Sequence, residues 1–448
     1  MDQKRAVVIT YGCQMNKYES ERLAGILVGL GYEITDEARN TDVILFNTCS
    51  IRDKAEQKVY SQLGHLKWLK RDNPELIIGV CGCVAQQEGD RILQRMPHVD
   101  LVFGPQNIPK LPSLLGQVQA RRQQFSDLAD NPLWDEQLLP IHRGSPSQAW
   151  VTVMQGCDKF CTFCVVPYTR GREQSRPTAA IVREVQTLAE QGYQEVTLLG
   201  QNIDSYGKRS AEGKDLADLL ALLQPISGIK RIRFITSHPR DFTEKLMRTV
   251  GTLEKMCEYI HLPVQSGSSA VLKRMHRGYT REDYLAKVEQ LRALVPDLAL
   301  STDIIVGFPG ETDDDFTETL RLVEAVEFDS MYSFKYSPRP GTRAASFSDQ
   351  VPEAVKTERF KALLEVQEGI QLRRNQARVG RCEEVLVEGP SKKGSVQLTG
   401  RTRQNRPVNF VGHPSLIGSL VTICIDRGGT HSLEGKVCTD RRDRGGED

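Results

Sequence analysis

The chain has 448 residues, 39% hydrophobic and 26% charged, with a formal net charge of +1. That is the composition of a soluble globular protein of about two to four domains. It excludes a global field for nucleic acid, leaving only local basic patches, and no apolar run nears the roughly 20 residues that cross a bilayer.

The 11 cysteines are too sparse for a disulfide scaffold. Clustered in a reducing compartment, they point to metal binding or catalysis. Met1–Arg5 leads into a strand pattern and not a signal peptide, so the expected location is the cytoplasm.

Residues 1–118 alternate strand-like stretches (Arg5–Tyr11, 42–47, 76–80) with helical periodicity (18–30, 54–70, 86–95). This predicts a Rossmann-like parallel sheet with helices on its faces. Cys13, Cys49 and Cys83 each fall just past a strand and just before a helix. Ligands of open α/β sheets gather at the carboxyl ends of strands, so these distant cysteines are expected to converge. On the residues alone they are either a three-cysteine metal site or buried structural cysteines. Cys81 competes for the third place; Cys83 is preferred because it lies nearer the loop.

Residues 119–149 are polar and carry Pro132, Pro140 and Pro146, as an interdomain linker does. Trp134, Leu138 and Leu139 are expected to dock on a neighbour.

Residues 150–375 hold six strand-then-helix units, with strands at 150–154, Glu195–Leu199, 231–235, 259–262, Ala299–Val306 and 331–336. Six are too few for an eight-stranded barrel. A partial (β/α)6 barrel is expected, with a doubly wound open sheet as the competing architecture. The first strand runs into residues 155–164, QGCDKFCTFC, in which Cys157, Cys161 and Cys164 are spaced C-x3-C-x2-C. A 4Fe–4S cube ordinarily takes four thiolates. Three leave one iron open to a small molecule, as a catalytic cluster needs. Zinc pairs its ligands in two C-x-x-C-like units, and no second pair follows. Phe160 and Phe163 are expected to pack around the cluster and keep water off.

The later strand-end loops offer Gln201, Asn202, Ser237, Gln265, Asp303 and Gly307 as cofactor contacts. His238 and His276 read as exposed or capping histidines. Arg170 and Arg172, beside the cysteine run, suit either a nucleotide phosphate or salt bridges.

Residues 376–438 change to five short strands with glycine-rich turns, the pattern of a small closed barrel that binds oligonucleotides. Arg401, Arg403 and Arg406 share one loop, Phe410 stands near for base stacking, and Lys392 and Lys393 add charge. The tail, 439–448, reads as disordered.

The cysteine run resembles the signature of radical S-adenosylmethionine (SAM) enzymes. YGCQMN (11–16), NTCS (47–50), CGC (81–83), VVPYTRGRE (165–173), HLPVQSGS (261–268) and TDIIVGFPGET (302–312) resemble motifs of the methylthiotransferase family within that superfamily. The last region is similar to a TRAM domain, an RNA-binding barrel. The resemblance implies two 4Fe–4S clusters, one on Cys13, Cys49 and Cys83 and one on Cys157, Cys161 and Cys164, and two SAM per turnover.

Residues 47–64 and the arginine-rich loop resemble the branch acting on tRNA. The implied reaction is methylthiolation of carbon 2 of N(6)-isopentenyladenosine beside the anticodon. The implied partners are the tRNA anticodon loop, an electron donor such as flavodoxin or ferredoxin, and a sulfur source, with no membrane and a monomeric chain. Related substrates, threonylcarbamoyladenosine in tRNA or an aspartate of a ribosomal protein, remain open, as does an RNA-binding iron–sulfur sensor without catalysis.

Overall fold

The structure is a computed structural model describing residues 3–50, 53–129, 140–392 and 397–438. Trp134, Leu138, Leu139, Lys393 and the tail from 439 lie outside the described residues.

The N-terminal region is a parallel sheet of six strands: β1 (Arg5–Tyr11), β2 (Glu33–Ile34), β3 (Val43–Thr48), β4 (Ile77–Gly82), β5 (Leu101–Phe103) and β6 (Phe125–Asp127), in spatial order β2-β1-β3-β4-β5-β6. Strands β3 and β4 are buried along their whole length. They therefore read as continuous apolar runs, since helices cover both faces. Thr48 lies in register with Tyr11 on one side and Gly82 on the other. The chain thus leaves β1, β3 and β4 at one level, and this brings the first three cysteine turns together. The linker reading is corrected at its start: β6 pairs with β5, Phe125 opposite Leu101. Strands of three residues are too short to show a periodicity.

The central region has β7 (Gln148–Thr152), a small antiparallel pair of β8 (Met154–Gln155) with β9 (Gln174–Ser175), then β10 (Glu195–Leu199), β11 (Arg231–Phe234), β12 (Tyr259–His261), β13 (Ala299–Val306) and β14 (Ser330–Lys335). Spatial order follows chain order in both halves, β7-β10-β11 and β12-β13-β14, all parallel. A bridge between Ile232 and Met256 spans the seam. With no reversal of strand order the doubly wound alternative is set aside. Val151, Leu198, Phe234, Ile260 and Leu300 belong to the core beneath the helices.

A 24-residue helix, Glu353–Gln376, leads to a closed barrel of β15 (Cys382–Pro390), β16 (Gln397–Thr402), β17 (Pro407–Val411), β18 (Leu420–Gly428) and β19 (Leu433–Val437), in order β15-β16-β17-β19-β18. Phe410, expected as a stacking platform, is instead buried in the barrel core with Val385, Ile423 and Leu433.

Two of the loop arginines are also reassigned, because they hold the barrel to the central region. Arg403 donates to the Glu258 carboxylate at 2.7 Å and to the Glu254 carbonyl at 2.9 Å. Arg406 is buried against Asp329 and Asn375. From the other side, Arg231 donates to the Arg401 carbonyl at 2.9 Å and Arg233 to the Arg403 carbonyl at 2.7 Å. Arginine satisfies several acceptors at once with its planar fork, which suits a polar docking seam. Arg401 pairs with Glu388 at 3.1 Å and stays half-exposed.

Candidate active site between two cysteine triads

The first triad lies at the carboxyl end of the N-terminal sheet. Cys13 caps the helix Gln14–Gly29 and Cys83 begins the helix Cys83–Glu88. Gly12 lets the backbone pass here: a side chain on it would meet Cys49 Cβ at 2.8 Å. Gly82 takes a left-handed turn (φ +90°) into Cys83, a conformation glycine adopts without strain. Asn16 donates to Asn47 Oδ1 at 3.0 Å and ties the Cys13 turn to β3.

Cys81 has its side chain in the apolar core with Leu45 and Phe103, and burial pushes its thiol well up. Cys83 instead accepts from Arg170 Nε at 3.2 Å and interacts with Cys13. The sulfur that faces the others is therefore that of Cys83.

The second triad follows β8. Gly156 (φ +80°) packs against the Gly171 and Arg172 backbone, where a side chain has no room, and its N–H donates to Gln201 Oε1 at 2.5 Å. Lys159 reaches Asp241 at 2.6 Å, anchoring the cysteine loop to the residues after β11. Arg277, buried, donates to Cys161 Sγ at 3.4 Å, to the Pro263 carbonyl at 2.9 Å and to Tyr279. Burial, and then the nearby Cys161, push the Cys164 thiol up to about 12; burial and then Cys164 raise Cys157 further.

The two triads face each other across Arg170. The helix Val166–Thr169, just after Cys164, sits against the helix that Cys83 begins. The Arg170 guanidinium reaches Cys83, and its other two nitrogens donate to Glu19 at 2.6 and 3.1 Å. Cys83 even contributes to the raised Cys164 thiol. Arg170 is thus no phosphate contact: it is buried at the junction, as its other reading, a salt bridge, required. Arg172 is exposed, paired with Asp158 at 2.5 Å, and lies over the Phe160 ring.

The other proposed cofactor contacts lie at the strand ends of the central region and differ in how far they are committed to other partners. Asn202 donates to Asp241 at 2.8 Å, but its buried Oδ1 has no hydrogen-bond partner. Ser237 is committed, donating to Asp204 at 2.9 Å. Gln265 has a left-handed backbone (φ +79°) and its N–H donates to the Asp303 carbonyl. The Asp303 carboxylate lies 3.5 Å from His261 Nε2. Gly307 (φ +69°) donates its N–H to Glu311 at 2.8 Å, and Lys356 fills the space a side chain would need.

His238, expected to be exposed or capping, is buried and caps a local turn. Its Nδ1 accepts from the Arg240 N–H and its Nε2 has no partner. Burial, followed by the Arg277 charge, pushes it down to about 2, so it stays neutral at ordinary pH with Nε2–H as donor. Arg277 and Asp241 were missed in the sequence; the only hint is that they follow strand-end loops. His276 is exposed, as expected, with Nδ1 at 3.1 Å from the Phe160 carbonyl. Phe163 packs on a small core with Phe308, but Phe160 is exposed and meets the exposed Tyr168 edge-on at 6.1 Å.

The donor sets fit iron–sulfur clusters. All six cysteines are thiols, and the disulfide among the described residues lies elsewhere. Three soft sulfurs per site suit a cube with one iron left open. The unpartnered Asn202 Oδ1 and His238 Nε2–H supply a buried acceptor and donor beside the second triad, which fits a polar ligand such as SAM. The Cys49 hydrogen bond, helped by Arg170, lowers the Cys13 thiol to about 6. In reduced, cluster-free protein, Cys13 is therefore expected to alkylate with a midpoint near pH 6 instead of about 8.5. Peptide mapping across pH checks this, and in Cys49→Ala the midpoint is expected to rise.

Family models match along the chain: the uncharacterized protein family UPF0004 over residues 5–104, the radical SAM superfamily over 151–323 and the TRAM domain over 376–438. The tRNA-2-methylthio-N(6)-dimethylallyladenosine synthase of Carboxydothermus hydrogenoformans is 48% identical over 438 residues, covering 97% of this chain and 99% of that protein. Its namesake in Pelotomaculum thermopropionicum is 50% identical over 427 residues, covering 94% and 95%. Among solved structures, the radical SAM methyltransferase TsrM of Kitasatospora setae shares the fold with a TM-score of 0.56 at 14% identity, covering 76% of this chain and 75% of that one. The architecture and the near full-length identity agree: the chain belongs to the methylthiotransferase family of radical SAM enzymes, alongside the proteins named tRNA-2-methylthio-N(6)-dimethylallyladenosine synthase.

Proposed function

We propose that this enzyme methylthiolates carbon 2 of N(6)-isopentenyladenosine beside the anticodon of tRNA, giving the 2-methylthio base. The observation that carries the reading is the junction at Arg170, where one guanidinium touches Cys83 of the first triad and belongs to the loop that follows the second. Two sulfur-ligated sites within one buried network suit a reaction that both opens a C–H bond and delivers sulfur.

Cys157, Cys161 and Cys164 would hold a 4Fe–4S cluster, and Cys13, Cys49 and Cys83 a second. With SAM bound, these supply a carbon radical able to take an unactivated hydrogen, and a methylated sulfur to replace it. The chain's own residues do the positioning. Gln201 fixes the Gly156 turn, Lys159 and Asp241 fix the cysteine loop, and Arg277 satisfies Cys161. Burial works against the Asp241 carboxylate, yet hydrogen bonds from Lys159, Lys208 and Asn202 hold it well below the ordinary range. It therefore stays charged and keeps both lysines in place. Cys157 and Cys161 are buried, so the protein excludes water from this end of the site.

For tRNA, the expected arginine loop is largely committed to docking, and the mouth of the second triad is the better surface. Phe160 and Tyr168 are exposed, and Arg172, Arg209 and Lys208 surround the same loop, paired with Asp158 and Asp241. Exposed aromatics and arginines suit unstacked bases of a loop. Among the described residues no helix is long and apolar enough to cross a membrane. A flavodoxin or ferredoxin as reductant, and a separate sulfur source, complete the proposal.

Mass spectrometry of tRNA from cells lacking this protein tests it. The expected result is loss of the methylthio group from isopentenyladenosine, restored by the gene, with threonylcarbamoyladenosine species unchanged. Unaltered isopentenyladenosine species would sink the assignment.

A further inference from the structure

Three cysteines outside the reaction machinery meet on the C-terminal barrel. Cys382 opens β15 and lies directly opposite Cys424 of β18 across an antiparallel pair. Cys438 follows the last residue of β19, its N–H donating to the Thr422 carbonyl at 3.0 Å. Because the barrel is closed in the order β15-β16-β17-β19-β18, these are three neighbouring strands. Ile423 and Ile425 point into the barrel core, so Cys424 between them points out, as side chains alternate along a strand. Cys382 is exposed.

The Cys382 sulfur lies 3.3 Å from that of Cys424 and 3.8 Å from that of Cys438, while Cys424 and Cys438 form a disulfide. All three sulfurs fall within 4.8 Å of one another. Sulfurs at about 2.3 Å from one tetrahedral zinc stand roughly 3.8 Å apart; Cys382 and Cys438 already stand at that separation, and Cys424 and Cys438 need only move apart once their bond is opened. Outward strand positions gain nothing from packing a thiol. Three of them at one level, from segments far apart in sequence, are a converged ligand set.

We propose that, in the reduced protein, Cys382, Cys424 and Cys438 form a three-thiolate site for one soft divalent ion, Zn²⁺ above others, with a fourth position open to solvent. The site is separate from both cysteine triads of the junction. A dithiol opens the Cys424–Cys438 bond, which takes up two electrons and two protons while the dithiol closes to its own disulfide. Ion binding then displaces the thiol protons.

The test uses full-length, cluster-loaded protein, reduced with a dithiol, desalted anaerobically and titrated with Zn²⁺ or Co²⁺. The wild-type chain is expected to retain about one zinc more than Cys382→Ser/Cys424→Ser/Cys438→Ser at equal iron content. Its Co²⁺ form is expected to show thiolate-to-metal charge-transfer absorption that the variant lacks. Cys382→Ser alone, which leaves Cys424 and Cys438 in place but one thiolate short of the site, is expected to lose both signals while keeping its circular dichroism. Equal zinc in wild type and variants, or zinc gained only as iron is lost, would overturn the proposal, as would undiminished binding by Cys382→Ser.

Discussion

Arg170→Met is expected to destabilise the protein by about 3–5 kcal/mol and to lower its melting temperature by roughly 3–5 °C. Glu19 is buried and its carboxylate accepts two hydrogen bonds from Arg170. Methionine fills much of the arginine's volume but leaves that carboxylate desolvated and without its cation, with only the 3.5 Å contact from Asn16. A buried pair contributes little compared with a well-packed apolar substitute, yet removing one member is costly because the other remains.

The double variant Arg170→Met/Glu19→Gln is therefore expected to recover most of the loss. If the single variant melts within about 1 °C of wild type, the buried ion pair does not hold the junction. The same substitution removes the donor to Cys83 and the positive charge that helps lower the Cys13 thiol. The Cys13 alkylation midpoint should then rise, even in the double variant whose stability is restored. Stability and thiol chemistry are thereby separated.

The contrast between cysteines and arginines shows what a sequence reveals. Cys13, Cys49 and Cys83 were legible because each sits at a strand-to-helix turn, and parallel pairing in register makes such turns neighbours. The choice of Cys83 over Cys81 followed from position: Cys83 lies nearer the loop, whereas Cys81 lies within β4 with its side chain in the core. Arginine carries no such positional signal. Its charge reads the same whether it faces phosphate, solvent or a buried carboxylate. The partner of Arg170 is Glu19, 151 residues away, and that of Arg403 is Glu258, 145 away. Nothing local marks either pair, so Arg403 and Arg406 of a basic loop on a nucleic-acid-type barrel were read as RNA contacts when they hold a docking seam.

The burial of His238 was missed for a related reason. A histidine before a proline looks like a surface turn, and only the packing of Arg277 and Tyr279 around it makes the site closed. The six strands of the central barrel were legible from their apolar runs. Strands β5 and β6, three residues each, carry too little pattern to be seen without their neighbours.

Cys83→Ala is expected to lower the iron content of anaerobically reconstituted protein from about eight to about four atoms per chain. It should abolish methylthiolated product while 5′-deoxyadenosine still forms from SAM. The reasoning rests on the separateness of the two ligand sets. Cys83 accepts from Arg170 and is coupled electrostatically to Cys13, whereas Gln201, Arg277 and the Lys159–Asp241 pair hold the second triad from its own barrel. Loss of one sulfur at the N-terminal sheet should therefore leave the other loop in place.

Cys81→Ala, two residues earlier, is the control. Its side chain belongs to the apolar core, so that variant is expected to keep about eight irons and its activity, with a stability cost on the order of 1 kcal/mol. Iron analysis with product assays on both variants separates a ligand from a packing residue. Should Cys81→Ala lose the iron and Cys83→Ala keep it, the first site has been built on the wrong sulfur. Should Cys83→Ala also stop SAM cleavage, the two triads are not independent, and the guanidinium between them transmits more than position.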